Sequence, residues 1–337
     1  MRIALLGPVA WRTPPYDYGP WERVTGMLAE GLMSRGVEVT LYATLDSVTS
    51  ARLDGVCPHG YAGDPALDGR VWEALHVSHA LSRSAEFDLV HNHVDWLPLA
   101  FAEHFRAPLL TTVHGFSGPG IFPAYARGGS PLVAISDSDR RAGLNYVATV
   151  HHGVDVDELP FSAEAGADLV VLGRIHPDKG IHTAIEIARR AGRRLTICGI
   201  VQDDRYFIER VAPHVDGDRV VFAGAVGPRR RAEILGASVA LLHPIAFDEP
   251  FGLSVVESMV CGTPVVAFAR GSMPEVVEDG VTGLLVHTVE EAVAAVDRVA
   301  DISRAGCRDR AVRRFGSARM VDDYLAVYEK LTGLPRP

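Results

Sequence analysis

In the stretch Glu249-Pro250-Phe251-Gly252-Leu253-Ser254-Val255-Val256-Glu257, two carboxylates stand eight residues apart around an apolar run suited to burial. The segment follows the apolar stretch VALLHP, which reads as a strand. Gly252, Leu253 and Ser254 then open a helix, and the first amides of a helix have no acceptor within it. Such amides, at the positive end of the helix dipole, suit a phosphate. Gly252 has no side chain to hold a ligand away from the backbone. Glu257 lies too far into the helix to cap it but can accept hydrogen bonds from two ribose hydroxyls. Glu249, before the helix, points toward whatever lies beyond the phosphates. The segment reads as hydroxyls at both ends with phosphate between them. A capping glutamate followed by an exposed helical one is the plain alternative.

A second cluster is GRIHPDKG, residues 173–180. Arg174 follows a strand, and Lys179 stands at a helix start. Two cations beside a helix N-terminus form an anion site, unless both are merely solvated. In the N-terminal half, His114 in TVHG and Ser136 in AISDSD stand at strand ends. Three other patterns are weaker. Asp155-Val156-Asp157 imitates a metal-binding pair but falls in a linker, where a turn or cap is expected. His91-Asn92-His93 lacks further ligands nearby and reads as a strand end lining a cleft. Arg229, Arg230 and Arg231, like the arginines of ARRAGRR, read as solvated helix faces rather than a lipid contact.

The elements that must position these residues follow a strand–helix–strand rhythm. RIALLG is a strand, ERVTGMLAEGLMSRG a helix and VEVTLYAT a strand, which is a βαβ unit and implies a parallel sheet. FDLVHNH, a helix over roughly 97–105, PLLTTVHG and PLVAISD continue it. The rhythm restarts with ADLVVLGRI, GIHTAIEIARRAG and RLTICGI, then DRVVFAGAV, RRRAEILGA and VALLHP. FGLSVVESMVCG is a helix, PVVAFA and VTGLLV are strands, and GSARMVDDYLAVYEKLTG has helical periodicity. Two doubly wound α/β domains are expected, joined near HHGVDVDELPFSAE, with ligands beyond the carboxyl ends of the strands.

The chain has 337 residues, 47% hydrophobic and 22% charged, with a formal net charge of −9. That charge argues against nucleic acid or anionic lipid as a bulk electrostatic partner. Cys57, Cys198, Cys261 and Cys307 are scattered without zinc spacing and read as buried free thiols. The N-terminal apolar run is short for a secretory signal, and no stretch approaches the roughly 18–20 apolar residues of a membrane span. The expectation is a cytoplasmic protein whose membrane contact is at most peripheral.

Taken together and in order, GRIHPDKG, EPFGLSVVE, CGTPVVAF and GSMPEVVEDGVTGLLV resemble the C-terminal domain of retaining glycosyltransferase family 4. HNHVDW, TVHG and AISDSDR are similar to the same family at matching places, so the resemblance covers nearly the whole chain. It implies the α/β GT-B fold: two Rossmann-like doubly wound domains facing a central cleft. Residues 1–152 would bind the acceptor and 153–315 the nucleotide sugar, and 316–337 would form a helix crossing back to the N-terminal domain. By that resemblance Glu257 binds the ribose, Glu249 the donor sugar, and Arg174 and Lys179 the diphosphate, together with the amides of Gly252, Leu253 and Ser254. His114 would lie near the reacting sugar and Ser136 near the cleft.

The family's paired-glycine loop is altered: Gly19 remains a candidate binding residue, but it is followed by Pro20, which has no amide hydrogen to donate. Trp11, Tyr16, Tyr18 and Trp21 around it could stack on a sugar ring.

The implied reaction is transfer of a sugar from a nucleoside diphosphate, UDP before GDP, to an acceptor hydroxyl with retention. The implied route is attack on the face that the leaving group vacates, without a metal or other cofactor. His114, Glu249, Arg174 and Lys179 would be catalytic. The acceptor would be a small molecule, an oligosaccharide or a lipid-linked group. The length, arginine bias and altered loop resemble actinobacterial natural-product enzymes of the avilamycin type. A sugar-nucleotide epimerase of the same fold and a non-catalytic sensor are the alternatives. A glycosidase would leave the phosphate-binding features unexplained, and a nicotinamide dehydrogenase would need a GxGxxG that LLGPVAW lacks.

Overall fold

The computed structural model describes residues 1–116 and 118–336; Ser117 and Pro337 fall within the expected domain spans but outside the described residues. The chain divides into two compact units, Val154–Gly316 and the remainder, which comprises Met1–Gly153 and the segment from Ser317 onward. Each unit has its own parallel sheet.

In the first unit the strands are β1 (Arg2–Leu6), β2 (Glu38–Tyr42), β3 (Arg52–Asp54), β4 (Leu89–Asn92), β5 (Leu109–Val113), β6 (Leu132–Ala134) and β7 (Tyr146–Thr149). They lie in the order β3-β2-β1-β4-β5-β6-β7, all parallel. Ile3, Ala4, Leu5 and Leu6 are all buried, so this central strand is covered on both faces, as an apolar run in a parallel sheet requires. Between Thr44 and Glu86 the sequence shows no clear period. The structure places β3 there, and a helix Gly69–Ser82 capped by Asp68, whose side chain accepts from Arg70 N at 2.9 Å. The expected helix near 97–105 is a 3₁₀ helix, Leu97–His104, kinked at Phe101.

The second unit holds β8 (Leu169–Leu172), β9 (Leu195–Cys198), β10 (Val220–Gly224), β11 (Ala240–His243), β12 (Val265–Phe268) and β13 (Gly283–Val286), in the order β10-β9-β8-β11-β12-β13. Leu169, Val171, Leu195 and Ile197 pack with Ile181, Ala184 and Ile185, the inward stripe of helix Ile181–Arg190. In both sheets the strand order reverses beside the first strand, β1 against β4 and β8 against β11. That reversal opens a crevice at the carboxyl ends, where ligands of such sheets bind. All four cysteines are buried and free. Asp157 N donates to Asp155 Oδ1 at 2.9 Å, so that aspartate pair forms a turn. Among the described residues no helix is long and apolar enough to cross a membrane.

The helix Ser317–Thr332 belongs to the first unit. Met320, Val321, Tyr324, Leu325 and Tyr328 form its buried stripe, against helix Pro20–Ser34. Gly31 permits the close approach: a Cβ there would strike Val321 Cγ2. Gly31→Val is expected to cost about 1–3 kcal/mol by overpacking and to speed amide exchange in residues 317–332. An unchanged denaturation midpoint and exchange pattern would contradict this packing.

Candidate functional site

The site in the second unit is built on the loops after β8 and β11. Lys179 ends the 3₁₀ turn Pro177–Lys179, and Ala246 N donates to Asp178 O at 2.7 Å, tying the two loops together. Lys179 Nζ pairs with Glu249 Oε2, with little of either side chain exposed. The ammonium also lies over the Phe247 ring, 4.7 Å from its centroid. The imidazole of His243, buried at the end of β11, is 3.4 Å from the same carboxylate oxygen. Burial would raise the Glu249 carboxyl, but Lys179 and His243 outweigh it and bring it down to about 2. Burial lowers the His243 pKa, even against the pull of Glu249. Arg174 lies half-buried beyond β8, its Nη1 donating to Gln202 Oε1. The structure thus brings Lys179 and Glu249 into direct contact, whereas the sequence assigned them to different parts of a ligand.

Gly252 takes a left-handed conformation (φ 89°) and caps helix Leu253–Val260, with Leu253 and Ser254 partly exposed in its first turn. The loop before it is held by the next motif. Gly271 (φ 56°) admits no side chain, since a Cβ would strike Glu249 N. Ser272 N donates to Glu249 O at 2.8 Å, and Ser272 Oγ donates to Phe251 O at 3.0 Å. GSMPE therefore positions Glu249.

Glu257 is buried, and its Oε1 lies 3.1 Å from Arg231 Nη2. The expectation of three solvated arginines is corrected here. Arg229 and Arg230 are exposed and pair with Glu233, but Arg231 turns inward. Arg231, Ile234 and Leu235 share one buried face of helix Pro228–Ala237, so the helical period was the available signal.

In the first unit His114, just past β5, is buried in a row of imidazoles. His114 Nε2 is 2.9 Å from His93 Nδ1, and its Nδ1 is 3.2 Å from His152 Nε2. His93 Nε2 reaches His91 Nδ1 at 3.3 Å. His91 also meets the hydroxyls of Tyr328 at 2.6 Å and Thr112 at 2.8 Å. Burial lowers all four imidazoles, His114 to about 3. His114 is therefore neutral at pH 7, a hydrogen-bond partner rather than a strong base. His91 and His93 do not line an open surface, because both are fully buried. Among the described residues no His, Cys, Asp and Glu group is arranged to hold a metal.

Trp21 stacks on His114, ring centroids 5.1 Å apart and planes 22° apart, so one face of that indole is already engaged. Trp11 meets Tyr18 edge-on at 6.4 Å, and exposed Tyr16 receives Arg12 at 4.3 Å. Gly19 (φ 147°) precedes helix Pro20–Ser34, and a Cβ there would sit 2.9 Å from Pro15 Cβ and 3.0 Å from Glu22 Oε2. Glu22, which the sequence did not indicate, is buried and accepts from Trp11 N at 3.1 Å; burial raises it to about 7. Ser136 Oγ is used within its own turn, 3.1 Å from Ser138 Oγ and accepting from Asp139 N at 3.2 Å.

Residues 160–315 match the family described as Glycosyl transferases group 1, and residues 21–158 match Glycosyltransferase Family 4. The two matches together span most of the chain, whose two parts are thus glycosyltransferase domains. It is similar to the glycogen synthase of Mycobacterium tuberculosis, 27% identical over 388 residues, 96% of this chain and 91% of that protein. Among solved structures it is similar to AviGT4, a glycosyltransferase involved in avilamycin A biosynthesis, with 24% identity and a TM-score of 0.74. That match covers 99% of this chain and 98% of the other. It is also similar to Anabaena Alr3699/HepE in complex with UDP and glucose, with 18% identity and a TM-score of 0.76, over 99% of this chain and 100% of that one. These structural matches show that the two parallel-sheet units have the GT-B fold.

The Glu249 carboxyl, held low by Lys179, contributes stability that is present above its ordinary value of 4.5 and lost as pH falls toward 2. Glu249→Gln strands a buried ammonium and is expected to destabilise the protein by about 3 kcal/mol at pH 7. The gap to wild type should narrow below pH 4.5 and close near pH 2, as read by denaturant unfolding across pH. A gap that stays constant would contradict the pairing.

Proposed function

We propose that this glycosyltransferase moves a hexosyl group from a nucleoside diphosphate sugar, UDP before GDP, to an acceptor hydroxyl with retention of configuration and without a metal ion. The observation that carries the reading is the grouping at the carboxyl edge of β8 and β11: Lys179, Arg174, the first turn of helix Leu253–Val260, and two buried carboxylates on either side of that turn. The cations and amides stand where charge grows as the sugar–phosphate bond breaks, which is electrostatic stabilisation of the leaving diphosphate. Lys179 bridges the two jobs, neutralising Glu249 while remaining able to donate to a phosphate oxygen. Glu249 takes hydroxyls of the transferred sugar and Glu257 those of the ribose.

In this reading the bond from C1 to the phosphate oxygen breaks and a bond from the acceptor oxygen to C1 forms on the same face. The acceptor proton passes to the departing diphosphate. His114, neutral and held by His93 and His152, binds and orients the sugar. The likeness to a structure holding UDP and glucose supports the donor class, and the likeness to AviGT4 supports a role in natural-product or glycoconjugate biosynthesis. Four buried free thiols fit work in a reducing cytoplasm. The acceptor is a small molecule, an oligosaccharide or a lipid-linked group.

Screening UDP-, GDP- and ADP-sugars by thermal shift and donor-consumption mass spectrometry tests this. UDP is expected to give the largest stabilisation, and donor consumption should depend on an acceptor. Consumption without acceptor would favour an epimerase, and no binding by any nucleotide would remove the reading. His114→Ala and Glu249→Ala should each lower turnover by about 100-fold or more with nucleotide affinity within about threefold. A matching loss of nucleotide affinity would contradict their assignment to the sugar.

A further inference from the structure

Arg231 is 9% exposed, and its Nη2 lies 3.1 Å from the Glu257 carboxylate. Its Nε is buried with no acceptor among the described residues. Nε and Nη2 form one edge of the guanidinium fork and present their hydrogens side by side. A carboxylate can fill that whole edge with two parallel bonds, but here Glu257 forms an ion pair with Nη2 alone. A buried charged donor without an acceptor is costly, so the arrangement is complete only with a further oxygen beside Glu257. Arg231 lies in the first turn of helix Pro228–Ala237, which follows the carboxyl end of β10, and Glu257 lies in helix Leu253–Val260. The unpartnered donor therefore faces the carboxylate from a neighbouring helix of the same unit.

We propose that Arg231 is a further donor-binding residue that, with Glu257, forms a matched pair for one ribose hydroxyl. The hydroxyl donates its hydrogen to Glu257 and accepts from Arg231 Nε. Only a group with both a hydrogen and a lone pair satisfies the two at once, so the pair selects a ribonucleotide over its deoxy counterpart. The guanidinium has a second effect. An unpaired carboxylate beside a bound diphosphate would repel it, and Arg231 cancels that charge at the point where the nucleoside enters. Lysine cannot take the place of Arg231, since a single ammonium keeps the charge but not the two-pronged edge. This assignment rests on the reading that the second unit binds a nucleoside diphosphate sugar.

Isothermal titration of UDP and GDP against wild type, Arg231→Lys and Arg231→Met, repeated with the 2′-deoxy and 3′-deoxy forms of the tighter-binding nucleotide, tests it. Wild type should prefer the ribonucleotide over at least one deoxy form by about 10-fold or more. Both variants should lose affinity for the ribonucleotide, and their preference for it over the deoxy form should fall below about threefold. The deoxy form should lose much less. A wild type with no preference for either hydroxyl overturns the proposal without recourse to any variant. So does a preference that survives in Arg231→Lys, which conserves charge and most of the packing. Wild type that binds neither UDP nor GDP removes the donor reading itself, an outcome distinct from tight binding that ignores Arg231.

Discussion

A carboxylate placed at the inner edge of a parallel sheet has lost its water and must find a cation. The second unit meets this constraint twice, with Lys179 at Glu249 and Arg231 at Glu257. The two glutamates stand on either side of one helix start, and the two cations reach them from a 3₁₀ turn and from helix Pro228–Ala237. Much of the local backbone serves these pairs. Gly271 and Ser272 fix the loop that carries Glu249, Ala246 N ties that loop to Asp178, and Gly252 turns the chain into its helix. Buried ion pairs are seldom a net gain in stability over apolar packing. Under the proposed function, they keep charge ready in a crevice where a charged ligand would meet it.

The first unit uses the opposite solution. Its polar interior is a row of imidazoles, His91, His93, His114 and His152, all held neutral by burial and all hydrogen-bonded. Tyr328 meets the row directly, and Tyr324 joins it through Thr112 at 2.8 Å. The helix Ser317–Thr332 thus meets His91 and Thr112, and His91 is joined to His114 through His93. Its docking is both apolar, through Met320, Val321 and Leu325, and polar, through two phenols that would be costly to leave unpaired. The orientation of His114 therefore depends on a segment more than two hundred residues away in sequence.

The fold was legible because parallel strands buried on both faces leave unbroken apolar runs, as in RIALL and LVVL, and because glycine punctuates their ends. Glu249, Arg174 and Lys179 were legible as polar residues beyond those ends, and Glu257 as a carboxylate one turn into the helix that follows. What the sequence could not state was pairing. Nothing in GRIHPDKG names Glu249 as the partner of Lys179, seventy residues on. The run at 229–231 hides one buried arginine among two exposed ones until the helical phase is applied. Trp21 looked like a surface for a sugar ring, yet its indole lies on His114, a contact set by tertiary packing. β3 and β7 escaped for a simpler reason, being short strands at the sheet's two edges, where the alternation is weakest.

The most direct test of the account is a crystal structure of the protein soaked with UDP. The diphosphate should lie against the amides of Leu253 and Ser254, with Lys179 and Arg174 within hydrogen-bonding distance and the ribose hydroxyls on Glu257. A nucleotide bound away from that helix start, with Lys179–Glu249 and Arg231–Glu257 undisturbed, would contradict it.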